Sequence, residues 1–385
     1  SLVMCLADPS GNPRPKRMIE LLKSLNIGVD VLSYPSKEKV TTGRHYNVYI
    51  WPKTILKRFL RFSVRLLLWF IPINGMKNWA NKKYYGVSNI SKELYESDYN
   101  LIVVEDLQLV PIAFEIQKNA KIILDAREYY PLQNEESLIF RWFEKPERMR
   151  LCRTYLSKCD AVLTVSNGLA LEYLKEFDIQ THLLRSTPNY YECEASQVEP
   201  DNIKMVHHGA ANENRHLEKM IEVFSLLDSR FSLDLYLVGD CKYINKLKEL
   251  ANPFKGISFK EAVLFDAILP TLNNYDVGLY YVDSETFNVK NCLPNKFFEF
   301  IQARLMVAIG PSPDMAELVH EYDCGVVSDA FDTKEMADKL NDLTNSDIMK
   351  YKKNSDLASK VLCFEQEGKK LTKIITSLME RESGY

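Results

Sequence analysis

Lys296 and Glu299, three residues apart in Pro294-Asn295-Lys296-Phe297-Phe298-Glu299-Phe300-Ile301, carry the most definite chemistry in the 385 residues. Pro294 suits the start of a helix, where its missing N–H costs nothing, and Phe297, Phe300 and Ile301 give that helix one apolar face to bury. Lys296 and Glu299 are then neighbours on its surface. An ionised carboxylate can accept from two vicinal hydroxyls at once. The same spacing also makes a plain intrahelical ion pair, worth roughly 0.2–0.5 kcal/mol.

A second constellation runs Met205-Val206-His207-His208-Gly209-Ala210-Ala211-Asn212-Glu213-Asn214-Arg215. It reads as a strand, a glycine, a small polar loop and a helix whose first turn carries Arg215. Gly209 lets backbone approach a ligand closely, and Arg215 beside free helix N–H groups suits a diphosphate. The alternatives are a surface cation for Arg215 and a hydrogen-bonded turn histidine for His208. The first loop, Asp8 to Arg17, lacks the G-x-G-x-x-G fingerprint, which disfavours an NAD or FAD enzyme. It is polar and basic, and suits either contact with phosphate or acceptor or a turn with solvated cations. No D-x-D pair is present to bring a divalent metal to a diphosphate, and no metal site is expected.

The elements that must hold these residues alternate from end to end, the pattern of parallel sheets covered by helices. Strands are expected near 2–7, 28–33, 100–104, 120–125, 160–165 and 181–185, with helices near 14–25, 110–118, 136–158 and 167–177. Ser186-Thr187-Pro188-Asn189 and the stretch 190–202 read as a linker. The alternation then restarts, with strands near 203–207, 233–238, 256–259, 276–281, 305–310 and 324–327. Two such halves imply a ligand cleft between them. The expected organisation is an N-terminal domain over 1–190, a second over 203–364, and a C-terminal helix, 365–385, packing back on the first.

The composition, 46% hydrophobic and 26% charged, is that of a globular protein long enough for about two domains. Eight scattered cysteines without a C-x-x-C pair point to reduced thiols. Ser1 to Leu6 reads as a first strand and not as an export signal, so a cytoplasmic setting is expected. The longest apolar run, Leu66 to Ile73, is too short to span a bilayer.

The ordered blocks resemble family-four glycosyltransferases of the GT-B fold over about residues 100–380. Pro294 to Glu317 is similar to the family's P-x-K-x-x-E block. His208-Gly209 through Arg215 is similar to its glycine loop with a basic residue six positions on. Leu237-Val238-Gly239-Asp240, Tyr275 to Leu279, Asp125-Ala126-Arg127-Glu128, Thr164-Val165-Ser166 and Phe364-Glu365 follow in matching positions. The resemblance implies two Rossmann-like doubly wound α/β domains facing across a cleft. It implies a nucleotide-sugar donor of UDP or GDP type and no cofactor, with Glu299 holding the ribose hydroxyls, Arg215 the diphosphate, Lys296 facing the phosphates, and Gly209 and Gly239 lining the site. It further implies metal-independent, retaining transfer, in which cations and helix ends stabilise the departing nucleotide.

The departures from the pattern fall on reactive positions. Ala210 stands where an arginine usually follows the glycine, so Lys296, Arg127 or Arg14 must supply the missing phosphate cation. Asn291 replaces the first glutamate of the usual pair, and Arg127 the usual histidine. Arg127, Glu128 and Asn291 are accordingly the candidate catalytic residues. An inverting mechanism would need a general base, for which Asp8 and Glu128 are the candidates.

Between Glu38 and Glu93 there is no acidic residue and there are eleven Lys or Arg; outside that stretch acids outnumber bases 52 to 38. Over 53–71, helical spacing gathers Lys53, Lys57, Arg58, Arg61 and Arg65 within an arc of about 140°, opposite Trp, Phe and Leu side chains. That suits an anionic bilayer surface, the alternative being a core helix with a solvated cationic face. Nucleic acid is disfavoured, because the apolar face is broad and the rest of the chain is acidic. The combined expectation is a sugar transferase acting on a lipid-linked or membrane-proximal glycan acceptor in surface polysaccharide or glycolipid assembly, at the inner face of the membrane. A GT-B-fold epimerase and a non-catalytic two-domain binding protein are its rivals.

Overall fold

The computed structural model describes residues 1–49, 63, 74–87, 90–116, 119–283 and 286–380. The basic segment 53–71 therefore lies outside the described residues, apart from Ser63. The chain divides into two compact units, Ser1–Leu184 with Lys370–Tyr385, and Arg185–Lys369.

The first unit is built on a seven-stranded sheet in the order β3-β2-β1-β4-β5-β6-β7. The strands are β1 Leu2–Met4, β2 Asp30–Ser33, β3 His45–Asn47, β4 Leu101–Val104, β5 Lys121–Ala126, β6 Ala161–Thr164 and β7 His182–Leu183. All the pairings are parallel. The central strands are continuous apolar runs with both faces covered, such as Leu101-Ile102-Val103-Val104, every residue of which is buried. Leu371, Ile375 and Leu378 of the last helix, Phe364–Glu380, join the core beside Val3, Leu22, Val103 and Leu163.

The second unit repeats the plan with six parallel strands in the order β10-β9-β8-β11-β12-β13. They are β8 Ile203–Ala211, β9 Phe231–Gly239, β10 Ile257–Lys260, β11 Val277–Tyr280, β12 Met306–Ile309 and β13 Gly325–Val327. In both sheets the strand order reverses beside the first strand, and in such sheets ligands bind beyond the carboxyl ends of the strands at that point.

Three features depart from the sequence expectation. The short strand β3 was not expected, because His45-Tyr46-Asn47 has no apolar run to announce it. The helix expected over 136–158 is broken into a π-helical turn at Phe140–Glu144, an α-helix at Lys145–Tyr155 and a 3₁₀ turn at Leu156–Lys158. Pro146 lacks the N–H that would continue one ladder through it. The chain crosses from one unit to the other at Leu184, ahead of the stretch 190–202, whose first residues are pinned to the second unit. Tyr190 N–H donates to Glu365 and Tyr191 N–H to Gln302, while the buried Arg304 guanidinium donates to the Tyr191 carbonyl. Among the described residues no helix is long and apolar enough to cross a membrane.

Candidate functional site

In the second unit β8 pairs with β9 over nine residues but with β11 only at Met205 and Val206. Beyond Val206 the two strands part, and the helix Asn295–Gln302 brings Lys296 in beside them. Lys296 is only 7% exposed. Its Nζ lies 3.4 Å from Nε2 of the fully buried His207 and 5.5 Å from the centre of the Tyr280 ring. His207 Nδ1 lies 2.8 Å from the Leu279 carbonyl, which can only accept, so Nδ1 carries the proton and the Nε2 lone pair faces the ammonium. Burial holds His207 well below the usual imidazole range, and the Lys296 charge adds to this.

Gly209 follows two residues later with φ +118, and a Cβ there would stand 2.7 Å from Lys296 Nζ. The ammonium is thus held against bare backbone. Burial draws the Lys296 pKa down to about 7, and the charge of Arg215 pushes the same way. Glu299 and the Cys292 thiol oppose the shift. An anion bound beside Lys296 and Arg215 would relieve the repulsion between their charges.

Glu299, also 7% exposed, points to the other histidine: His208 Nε2 is 3.2 Å from Glu299 Oε2. The contact is close but not aligned as a hydrogen bond. Burial, followed by the Lys296 charge, lowers the His208 pKa to about 3, so this is a neutral imidazole beside a carboxylate and not an ion pair. Lys296 and Glu299 are therefore engaged with the end of β8. Gly239, φ +114, ends β9 opposite Ala211. Asn291 closes the short helix Phe287–Lys290, its side-chain amide donating to the Phe287 carbonyl at 2.9 Å, three residues before Pro294.

In the first unit Arg127 and Glu128 leave the carboxyl end of β5. Arg127 lies 3.4 Å from Asp106 and 3.9 Å from Glu105, and donates to the Glu105 carbonyl at 3.3 Å. Glu128 has its pKa raised by burial, against the nearby charge of Arg127 and a hydrogen bond from Gln133. Asp8 behaves oppositely: burial acts against its charge but is outweighed by the Ser10 and Ser36 hydroxyls and by N–H groups, and its pKa falls. Of the two carboxyls weighed as a base, Glu128 is the one held nearer to neutrality.

Arg14 is corrected from a candidate phosphate cation to a structural residue. Its guanidinium forks onto buried Asp125 at 2.5 and 2.6 Å and donates to the Leu184 carbonyl at 3.0 Å, which commits three of its five N–H donors and its charge to the core.

Two residues were not picked out from sequence. Strand alternation assigns His207 and His208 to opposite faces, and it is His207 that meets Lys296. Glu105 is fully buried with neither carboxyl oxygen hydrogen-bonded, and burial together with Asp125 pushes it up to about 8, so it is mostly protonated at neutral pH. The signal was an acid directly after the all-apolar β4, at the sheet's carboxyl edge. Among the described residues no three His, Cys, Asp or Glu side chains are grouped to hold a metal ion.

No protein-family model matches the sequence, and no curated protein sequence does. Solved structures do match the fold. Sucrose-phosphate synthase of Thermosynechococcus elongatus superposes with a TM-score of 0.70 at 13% identity, covering 99% of each chain. HepE of Anabaena, crystallised with UDP and glucose, gives 0.66 at 11% identity, covering 98% of this chain and 99% of its own. WaaG, a glycosyltransferase involved in lipopolysaccharide biosynthesis, gives 0.67 at 13% identity over 98% and 100%. At such identities the likeness speaks for the fold, and the two Rossmann-like units are those of the GT-B class.

Proposed function

We propose that the chain is a glycosyltransferase of the family-four type, taking a sugar from a nucleoside-diphosphate sugar and passing it to a lipid-linked or membrane-proximal glycan. The observation that carries this reading is the ammonium of Lys296 lodged against Gly209, with Arg215 close by and Glu299 on the next turn of the same helix. Lys296 and Arg215 neutralise the diphosphate as it departs, and Glu299 accepts from the ribose hydroxyls. The donor is of UDP or GDP type; HepE, of the same fold, was crystallised with UDP-glucose.

Arg127 and Glu128 serve the acceptor. Glu128, with its raised pKa, accepts a hydrogen bond from the acceptor hydroxyl, and Arg127 supplies positive charge in place of a histidine. Asn291 gives the sugar a neutral contact. Transfer is retaining and needs no metal, the two cations of the donor site doing that work. The basic segment 53–71 attaches the protein to the anionic inner face of a membrane, where a lipid-linked acceptor for surface polysaccharide or glycolipid lies.

The reading is tested by screening nucleotide sugars for thermal stabilisation, then following donor consumption by mass spectrometry with and without EDTA. A stabilising nucleotide sugar, consumed in EDTA with transfer of its sugar, supports it. Conversion of the donor's sugar into its epimer without any acceptor would replace it with an isomerase, and stabilisation by no nucleotide sugar would remove it.

A further inference from the structure

The ammonium of Lys296 is donated to a neutral imidazole whose tautomer is fixed from behind by the Leu279 carbonyl. Several groups face this pair. Arg215 comes from the turn after β8, Glu299 from the helix of Lys296 itself and Cys292 from the turn before that helix; His208 lies on β8 and Tyr280 at the end of β11. Gly209 leaves no side chain between the ammonium and the space above β8.

We propose that His207 is a positioning residue for Lys296 and that the two form a proton-linked diphosphate subsite: a nucleotide sugar draws a proton onto Lys296 as it binds, and His207 sets the pH at which this occurs. The inference rests on the donor reading above and deepens it. Glu299, Cys292 and the hydrogen bond to the His207 lone pair favour the charged ammonium, and burial and Arg215 disfavour it. Without a ligand these balance near neutrality, at about 7. With the doubly negative diphosphate in place the protonated form prevails, and the proton comes from solvent. Affinity therefore falls as pH rises above neutrality, by about tenfold per pH unit for one linked proton.

Calorimetry with UDP-glucose and GDP-mannose, in two buffers of different ionisation enthalpy, counts the protons. Both diphosphates are esterified at each end and do not titrate between about pH 6 and pH 8.5. The wild-type protein should take up about one proton per nucleotide sugar at about pH 8, and less as pH falls below neutrality. His207→Leu removes the acceptor, so the midpoint of uptake should move to lower pH. His207→Gln, which keeps a donor for Leu279 and an acceptor for Lys296, should restore it. A merely structural His207 would change affinity without moving that midpoint, and this result overturns the positioning role. Should a variant fail to fold, the wild-type proton count decides the linkage. Binding without proton uptake at any pH overturns the linkage and leaves the donor site standing, provided that Lys296→Met abolishes binding. No binding of either nucleotide sugar at any pH overturns the donor reading and this inference together.

Discussion

Lys296 Nζ occupies the space that a side chain at position 209 would need, 2.7 Å from where a Cβ would lie. Gly209 is thus required twice: by its φ of +118, which L side chains rarely adopt, and by the ammonium beside it.

Gly209→Ala should cost about 1–3 kcal/mol of stability through backbone strain and also displace Lys296. Nucleotide-sugar affinity should drop with it. Gly239→Ala is the control for strain on stability, since its φ of +114 is equally strained but its Cβ would make only ordinary contact, 3.4 Å from the Ala211 carbonyl. Denaturation and nucleotide titration of both variants check this. A Gly209→Ala variant that loses stability but keeps full nucleotide-sugar affinity would mean that the Lys296 contact plays no part in binding.

Arg215→Ala and Glu299→Ala should each weaken nucleotide-sugar binding by about 1–3 kcal/mol, the loss of a charge-assisted hydrogen bond, while both variants remain folded. Unchanged affinity in both would move the donor site elsewhere.

Glu105→Gln should make stability less dependent on pH. The folded state holds the Glu105 proton up to about 8, whereas an exposed glutamate releases it near 4.5. Across that window the folded chain binds more protons than the unfolded one, so the contribution of Glu105 to stability is full below about 4.5 and is lost as pH rises through about 8. Relative to wild type, the variant should therefore gain stability steadily from pH 5 to pH 8, as read by urea denaturation at several pH values. A constant difference would mean that the carboxyl is ionised in the fold.

Changing Lys57, Arg58, Arg61 and Arg65 to Glu should leave folding and nucleotide binding intact and remove the protein from the vesicle fraction in flotation with anionic lipid. Each Lys or Arg near such a surface contributes about 1 kcal/mol, and attachment should weaken with salt because screening acts over about 8–10 Å. A native protein that never floats, or a variant that floats equally well, would assign 53–71 to the core or to a protein partner instead.

What could be read from the sequence was what depends on neighbours in the chain. Apolar runs of four and helical periods mark strands and helices without reference to the rest of the molecule, so the two α/β halves were legible. So was the helix after Pro294 carrying Lys296 and Glu299, whereas Gly209, expected in a loop, lies inside β8, and Arg215, expected in a helix's first turn, lies in the 3₁₀ turn Glu213–Arg215. Local rules give no sign of β3, whose three residues form no apolar run, and carry a helical period straight through Pro146.

What only the tertiary structure decided depends on which strands lie side by side. β1 sits between β2 and β4, and β8 between β9 and β11, and the pairings with β4 and β11 join residues a hundred and about seventy positions apart. That ordering takes Arg14 to Asp125 and out of contention as a phosphate cation. It buries Glu105 among other carboxylates, and it brings the Leu279 carbonyl behind His207 so that Lys296 faces a lone pair. Charge, tautomer and proton affinity are set by burial and by partners distant in sequence, and neither is visible in the order of residues.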